Sequence, residues 1–245
     1  MKLKWDETGS HVYETGIDMG VLYLLSGETY QTGVAWNGLT GVTESPSGAE
    51  NTALYADNIK YLNLMSNEEF GATIEAYTYP KKFEKCLGEI GIGPGVIFGQ
   101  QPRSHFGFCY RTKLGDDING IDRGYKIHIV FDCLAKPSEK GYSTINDSPE
   151  AITFSWEITT NQVIATGYKP TSVLTLESKK FKDGGMWNAL KYIEGMLFGT
   201  DETEAKLPFI SEILEAISFQ IHLIDSGNDE LLDSSGNPIQ SSVFD

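Results

Sequence analysis

The chain has 245 residues, 34 acidic against 19 basic side chains, a formal net charge of -15 at pH 7 and 40% hydrophobic residues. That length suits one decorated domain with its own core. The acidic balance excludes a generally basic nucleic-acid-binding surface, because such affinity comes chiefly from Lys and Arg neutralising phosphates; its plain effect is solubility.

Cys86, Cys109 and Cys133 are an odd number without CxxC spacing, which fits reduced thiols in a cytosolic product. The first residues carry no apolar run, and no later stretch approaches the ~18 apolar residues of a membrane helix, so no membrane anchor is expected. With 26 glycines and 11% aromatics, the composition favours turn-rich β architecture.

In chain order, strands are expected at 20–25 and 33–42. A long loop-like stretch at 43–58 follows, with apolar residues returning at 53–56 and 61–65. Loops of that length are usually functional or disordered, and the returning apolar residues predict an extended hairpin arm that docks on something. Next, Phe70, Ala72, Ile74 and Ala76 alternate with Thr73, Glu75 and Tyr77, the period of a half-buried strand. Pro80 and Gly88 bracket a short helix at 80–87. Gly91, Gly93, Pro94 and Gly95 read as a turn: no Gly-Lys-Ser/Thr follows, and Pro94 lacks an amide that a phosphate loop would use.

A strand at 105–113 and another at 125–133 flank turn residues at 115–124, predicting a hairpin with a loop longer than two residues. In the second strand, Tyr125, Ile127, Ile129 and Phe131 oppose Lys126, His128 and Asp132; His128 thus reads as a surface or interface histidine. Strands at 152–158 and 172–177 complete the series. Met186, Leu190, Ile193 and Leu197 share one face of a helix that ends at Gly199, amphipathic enough to cover a sheet. A further helix is expected at 208–217, with 219–224 reverting to alternation. Residues 226–245 are polar and read as a flexible C-terminal tail, leaving 1–225 as the folded domain.

Signals for chemistry are weak. The four histidines are scattered, with no HxH or HExxH spacing. The acidic run 116–122 has its glycine misplaced for a calcium loop and no closing glutamate. No GxSxG elbow appears, and no carboxylate pair stands out. No catalytic residue, metal site or cofactor is expected. Trp36, Trp156 and Trp187 read as core packing.

Several ordered blocks carry a resemblance. They are 5–9 (Trp-Asp-Glu-Thr-Gly), 13–18 (Tyr-Glu-Thr-Gly-Ile-Asp), 33–40, 44–50, 55–61, 70–80 and 142–157. Across roughly 1–200 the chain resembles the major tail proteins (tail tube proteins) of long, non-contractile-tailed bacteriophages of Gram-positive bacteria. The resemblance implies a mainly β fold, a β-sandwich or barrel with one or two flanking helices. It implies hexameric rings that stack into a tail tube around a tape-measure protein, between tail-terminator and distal tail proteins. DNA would pass through the lumen without specific binding. The virion tail would be assembled in the host cytoplasm.

On that basis Thr73, Glu75 and Asp132 are candidates for the lumen wall, with exposure on the outer wall as the competing placement. The stretch 43–65 is the candidate inter-ring arm: Glu44, Ser45, Pro46, Ser47, Gly48, Ala49 and Glu50 at its polar part, Tyr55, Tyr61 and Leu64 on its apolar stem. A free loop is the competing reading. Alternatives for the whole chain are another tail component, such as a baseplate or tail-terminator subunit, and a carbohydrate-binding β-sandwich on the virion surface.

Overall fold

The computed structural model describes residues 2–145, 147 and 150–225, with backbone alone for 220–225. The expected tail 226–245 lies outside the described residues. The fold is mainly β, a sandwich made by one long antiparallel sheet that folds over on itself and carries helices on one outer face.

The first layer is built around three long strands: β1 (Tyr13–Ser26), which starts well before the expected 20–25, β12 (Phe106–Asp116) and β13 (Gly120–Ala135). The short β2 (Thr29–Tyr30) and β3 (Val34–Trp36) return against β1, and β15 (Val173–Glu177) pairs with the middle of β13. The second layer is β14 (Phe154–Thr160), β9 (Gly71–Ala76) and β4 (Leu39–Glu44). The expected single strand at 33–42 is split at Asn37-Gly38 into β3 and β4, one in each layer. Strand β13 joins the layers. Its residues 126–130 pair with β15, whereas Cys133, Leu134 and Ala135 pair with β14. Asp132 sits at the change of partner with φ 45°, in a bulge of the β12–β13 register. A bulge bends a strand and increases its twist, which is how one strand serves two layers.

Between the layers Leu22 and Leu24 of β1, Phe106 and Phe108 of β12 and Val130 of β13 meet Ala72, Ile74 and Ala76 of β9 and Trp156 and Ile158 of β14. Phe83, on a 3-10 turn (Lys81–Lys85), plugs this core between Trp36, 4.5 Å away, and Trp156, 5.2 Å away. The short helix expected at 80–87 is this 3-10 helix, and Gly88 exits with φ +72°. Each fully buried side chain of this size contributes about 1.5–3 kcal/mol. At one edge the two layers touch directly: a Cβ on Gly20 would lie 2.3 Å from Leu39 Cδ1.

The other face of the first layer is covered by α1 (Ser178–Asp183), α2 (Trp187–Phe198) and α3 (Ile210–Asp225). Leu190, Ile193 and Leu197 of α2 and Ile213 of α3 pack on Val21, Tyr23, Ile127, Ile129 and Phe131. Strand β13 is therefore buried on both faces. His128 is 8% exposed, not a surface histidine, because its neighbours Val130 and Tyr110 face the inter-sheet core. Trp36 and Trp156 are core residues, whereas Trp187 is half-buried under the Lys191 ammonium.

The expected helix ending at Gly199 is α2, and the one expected at 208–217 is α3. The helix α1 was not foreseen, and α3 runs through 219–224, where alternation had suggested a strand. Apolar residues at 214, 217, 221 and 224 also fit helical spacing. Once a helix has nucleated, each added residue gains a bond at small entropic cost.

Candidate functional site

Beyond β4 the chain leaves the body as an arm. The short β5 (Ser47–Gly48) and β8 (Glu68–Glu69) pair at its base, and β6 (Asn51–Ala56) and β7 (Ile59–Met65) form the hairpin above. Asp57 and Asn58, with φ 51° and 62°, make the two-residue turn. Positive φ at both central positions is the primed turn whose twist matches paired strands, and Asp and Asn tolerate it. The stretch is a β arm and not an irregular loop. Glu44 closes β4, Ser45 and Pro46 connect it to β5, Ala49 turns with φ 53°, and Glu50 leads into β6.

Among the described residues this arm is exposed on both faces, with only Ala53 half-buried. Tyr55 is 73% exposed, Tyr61 68%, Leu64 54% and Met65 69%. Leu54 lies opposite Leu62 in the register, and Leu64 continues the same side. An isolated two-stranded hairpin is marginal in water.

A second hairpin repeats the property. Strands β10 (Ile90–Gly93) and β11 (Val96–Phe98) are joined by Pro94-Gly95, with Gly95 at φ +74°. That is the proline-then-glycine pattern of a type II turn. The turn at 91–95 was legible, but the strands around it were missed. Residues 90–102 contain no charged side chain, and Ile90, Ile92, Val96, Ile97 and Phe98 are each 44–55% exposed. The signal was there: Ile-Gly-Ile and Val-Ile-Phe flank Pro-Gly.

The three residues proposed for a lumen wall do not come together. Thr73 and Glu75 share the outer face of β9: Thr73 lies between Thr43 and Glu157, and Glu75 between Gly41 and Ser155. The Glu157 carboxylate is ion-paired with Lys136. Asp132 belongs to the far end, since Cys133 pairs with Thr160, five residues along β14 from Ser155 and so about 17 Å away. Its carboxylate is bound at the bulge by His105 Nδ1 at 2.5 Å and by the Asn161 amide at 3.0 Å, and its backbone amide donates to the Tyr30 hydroxyl at 3.0 Å. Asp132 thus stabilises the corner of the fold.

Charged groups elsewhere tie elements together. Arg111 donates twice to Asp18, at 2.7 and 2.9 Å, beneath the Tyr125 ring. The guanidinium holds the Asp18 carboxyl below the usual carboxylate range against partial burial. Tyr125 in turn donates to Glu194 of α2 at 2.5 Å. Asp116 caps the β12–β13 turn by accepting the amides of Ile118 and Asn119, and Asp117 accepts the Gly9 amide at 2.9 Å, pinning the N-terminal segment to that turn. The loop between these strands is three residues long, longer than two as expected. A cleft of about 310 Å³ is lined by Arg111, Lys113, Arg123, Lys179 and Lys182, yet three of its cations are already paired, with Asp18, Asp116 and Asp183. Cys86, Cys109 and Cys133 are free and buried, and burial pushes the Cys86 thiol up to about 12.

Among the described residues no group of three or more His, Cys, Asp or Glu side chains is placed to hold a metal ion, and no helix is long and apolar enough to cross a membrane.

No family model and no curated protein matches this sequence. Among solved structures, the chain is similar to a chain of the anti-feeding prophage baseplate, seen by cryo-EM with six-fold symmetry imposed. The TM-score is 0.35 at 9% identity, over 65% of this chain and 93% of the other. An overlap of that size does not establish a common fold.

Proposed function

We propose that this chain is a non-enzymatic structural subunit of a bacteriophage tail, assembling with copies of itself into stacked hexameric rings that form the tail tube. The observation that carries the reading is the pair of hairpins with uncovered apolar side chains, Leu54, Tyr55, Tyr61, Leu64 and Met65 on one and Ile92, Ile97 and Phe98 on the other. In a chain of net charge -15, copies repel at long range, so association needs such local apolar contacts. The backbone agrees. Strands β4 and β15 each have one strand partner among the described residues, leaving edges that a neighbouring chain can complete. Rings closed by edge pairing use up those groups, and head-to-tail stacking gives an open-ended tube. The polymer would surround a tape-measure protein and meet tail-terminator and distal tail proteins at its ends. An acidic lumen offers passing DNA no cationic contacts. Thr73, Glu75 and Asp132 are the candidates for that wall, the first two on the outer face of β9 and Asp132 at the far end, held by His105 and Asn161.

Negative-stain microscopy of the concentrated protein tests the reading. Hollow tubes support it; rings that never stack point to a baseplate or tail-terminator subunit; strictly monomeric protein, with tape-measure and initiator partners present, overturns it. Charge reversal at Glu75 sharpens the lumen assignment. Tubes that form normally but eject DNA poorly favour it, and unchanged assembly with unchanged ejection counts against it.

A further inference from the structure

At the base of the arm, where β4 leaves the body, His128 of β13 is held in an unusual balance. Its ring lies flat on Tyr110 of β12, 4.6 Å between centroids and 4° between planes. On one side Nε2 is 3.0 Å from Thr112 Oγ1, and Thr112 donates its own proton to Glu14 Oε1 at 2.5 Å. The Thr112 oxygen can then only accept, which puts the ring proton on Nε2 and leaves a lone pair on Nδ1. Nδ1 is buried without a hydrogen bond. It faces Glu44 Oε1 at 3.5 Å, an oxygen that already accepts from the Tyr110 hydroxyl at 2.8 Å. With the ring proton on Nε2, Nδ1 and Glu44 Oε1 are both acceptors 3.5 Å apart, in a place where an unsatisfied buried atom is costly.

The groups facing the ring are Glu14 from β1, Glu44 from β4, Tyr110 and Thr112 from β12 and Lys126 from β13. Lys126 is committed to Glu14 Oε2 at 2.5 Å, and the register partner on β15 is the uncharged Thr175. Glu44 is thus the carboxylate within reach of Nδ1.

We propose that a proton on His128 Nδ1 turns this contact into a charge-assisted hydrogen bond to Glu44, so that mild acid tightens the base of the arm on the body and neutral pH loosens it. No covalent step is involved; the proton comes from solvent. Burial holds His128 below the ordinary histidine range, while Glu44 and Glu14 pull it upward. Opening the arm base takes Glu44 away while the ring stays packed on Tyr110, which lowers His128 further, so protonation favours the closed contact, on the acid side of neutrality. Its use in controlling assembly rests on the self-association reading above, but the latch itself is a property of the single chain.

The test is hydrogen exchange on the dilute full-length protein between pH 7.5 and 5, with NMR of the imidazole. The reporters are the arm-base amides of Ser45, Ala49 and Ser66, bonded to Gly71, Asn67 and Glu50 carbonyls. Their protection factors, corrected for intrinsic exchange, should rise about tenfold as His128 protonates, the effect of one charge-assisted bond. The Gln101 amide, bonded to the Gly88 carbonyl away from the arm, should not follow. Glu44→Gln should lower the His128 midpoint and abolish the rise; His128→Gln, which cannot take the proton, should also abolish the rise, and because Glu44 lies at the surface its variant keeps the fold measurable. Protection that falls with acid in the wild type, or a His128 midpoint identical in wild type and Glu44→Gln, overturns the proposal. A chain that latches but never assembles defeats the polymer reading alone; one that assembles without pH-linked protection defeats the latch alone.

Discussion

The sandwich body and the β6–β7 arm are both antiparallel strands rich in Leu, Ile and Tyr, yet they treat those side chains in opposite ways. On β9, Ala72, Ile74 and Ala76 are at most 1% exposed; on β7, Ile59, Tyr61, Leu64 and Met65 all exceed 50%. Apolar pattern alone is therefore not what places a residue in a core. What differs is the presence of an opposing layer. Strand β9 has β12 and β13 across from it, and the arm has nothing opposite it among the described residues. Such a surface, carried on a hairpin too small to be stable alone, is what the proposed assembly would cover.

Substitutions separate the two regions. In the body, Trp156→Ala removes a side chain that packs on Trp36, Tyr79, Phe83 and Phe154. It should cost about 3–5 kcal/mol, read as a shifted urea midpoint. On the arm, replacing Leu54, Leu62 and Leu64 together with Ser should leave the urea midpoint of the monomer within about 1 kcal/mol, since they gain little from this chain. The same variant should lose assembly, seen by sedimentation. If the arm variant unfolds like the core variant, the contrast fails.

The pH response of the body is smaller. His128 stays neutral in the folded protein below the pH at which an unfolded histidine, pKa ~6.5, takes its proton. The unfolded state then binds more protons, and stability should fall as pH drops below that value, by at most about 1.4 kcal/mol per pH unit. His128→Gln should remove that slope in chemical denaturation at stepped pH, even as the folded arm gains protection in acid. The smallest effect expected is at Asp18. Asp18→Asn breaks a half-exposed pair with Arg111 and should cost about 1 kcal/mol near pH 7. With its folded value depressed by Arg111, that contribution is complete above the ordinary Asp value of ~3.9 and disappears as pH falls through the folded one, so wild type and variant should converge in acid.

Much of the body was legible in the sequence because a half-buried strand writes its burial directly as alternation. Ile74 and Glu75 show it. The reading failed where a strand is covered twice. On β13 the polar-looking positions His128 and Asp132 are enclosed, one by Tyr110 and two carboxylates and the other by His105 and Asn161, and only tertiary partners explain them. The 219–224 stretch failed for a different reason: six residues fit periods of both two and 3.6, and only the preceding helix decides. The arm was legible as an apolar segment without a local reason to be apolar. The β10–β11 hairpin had the same signature but was hidden by attention to its glycines.

The central claim is that sister copies cover the arm. Hydrogen exchange of the β6–β7 and β10–β11 amides, followed at fixed pH as protein concentration is raised through assembly, measures this most directly. The account predicts fast exchange in dilute protein and strong protection of both hairpins in the assembled fraction. Exchange that stays fast in the polymer, or a chain that remains monomeric at every concentration, would contradict it.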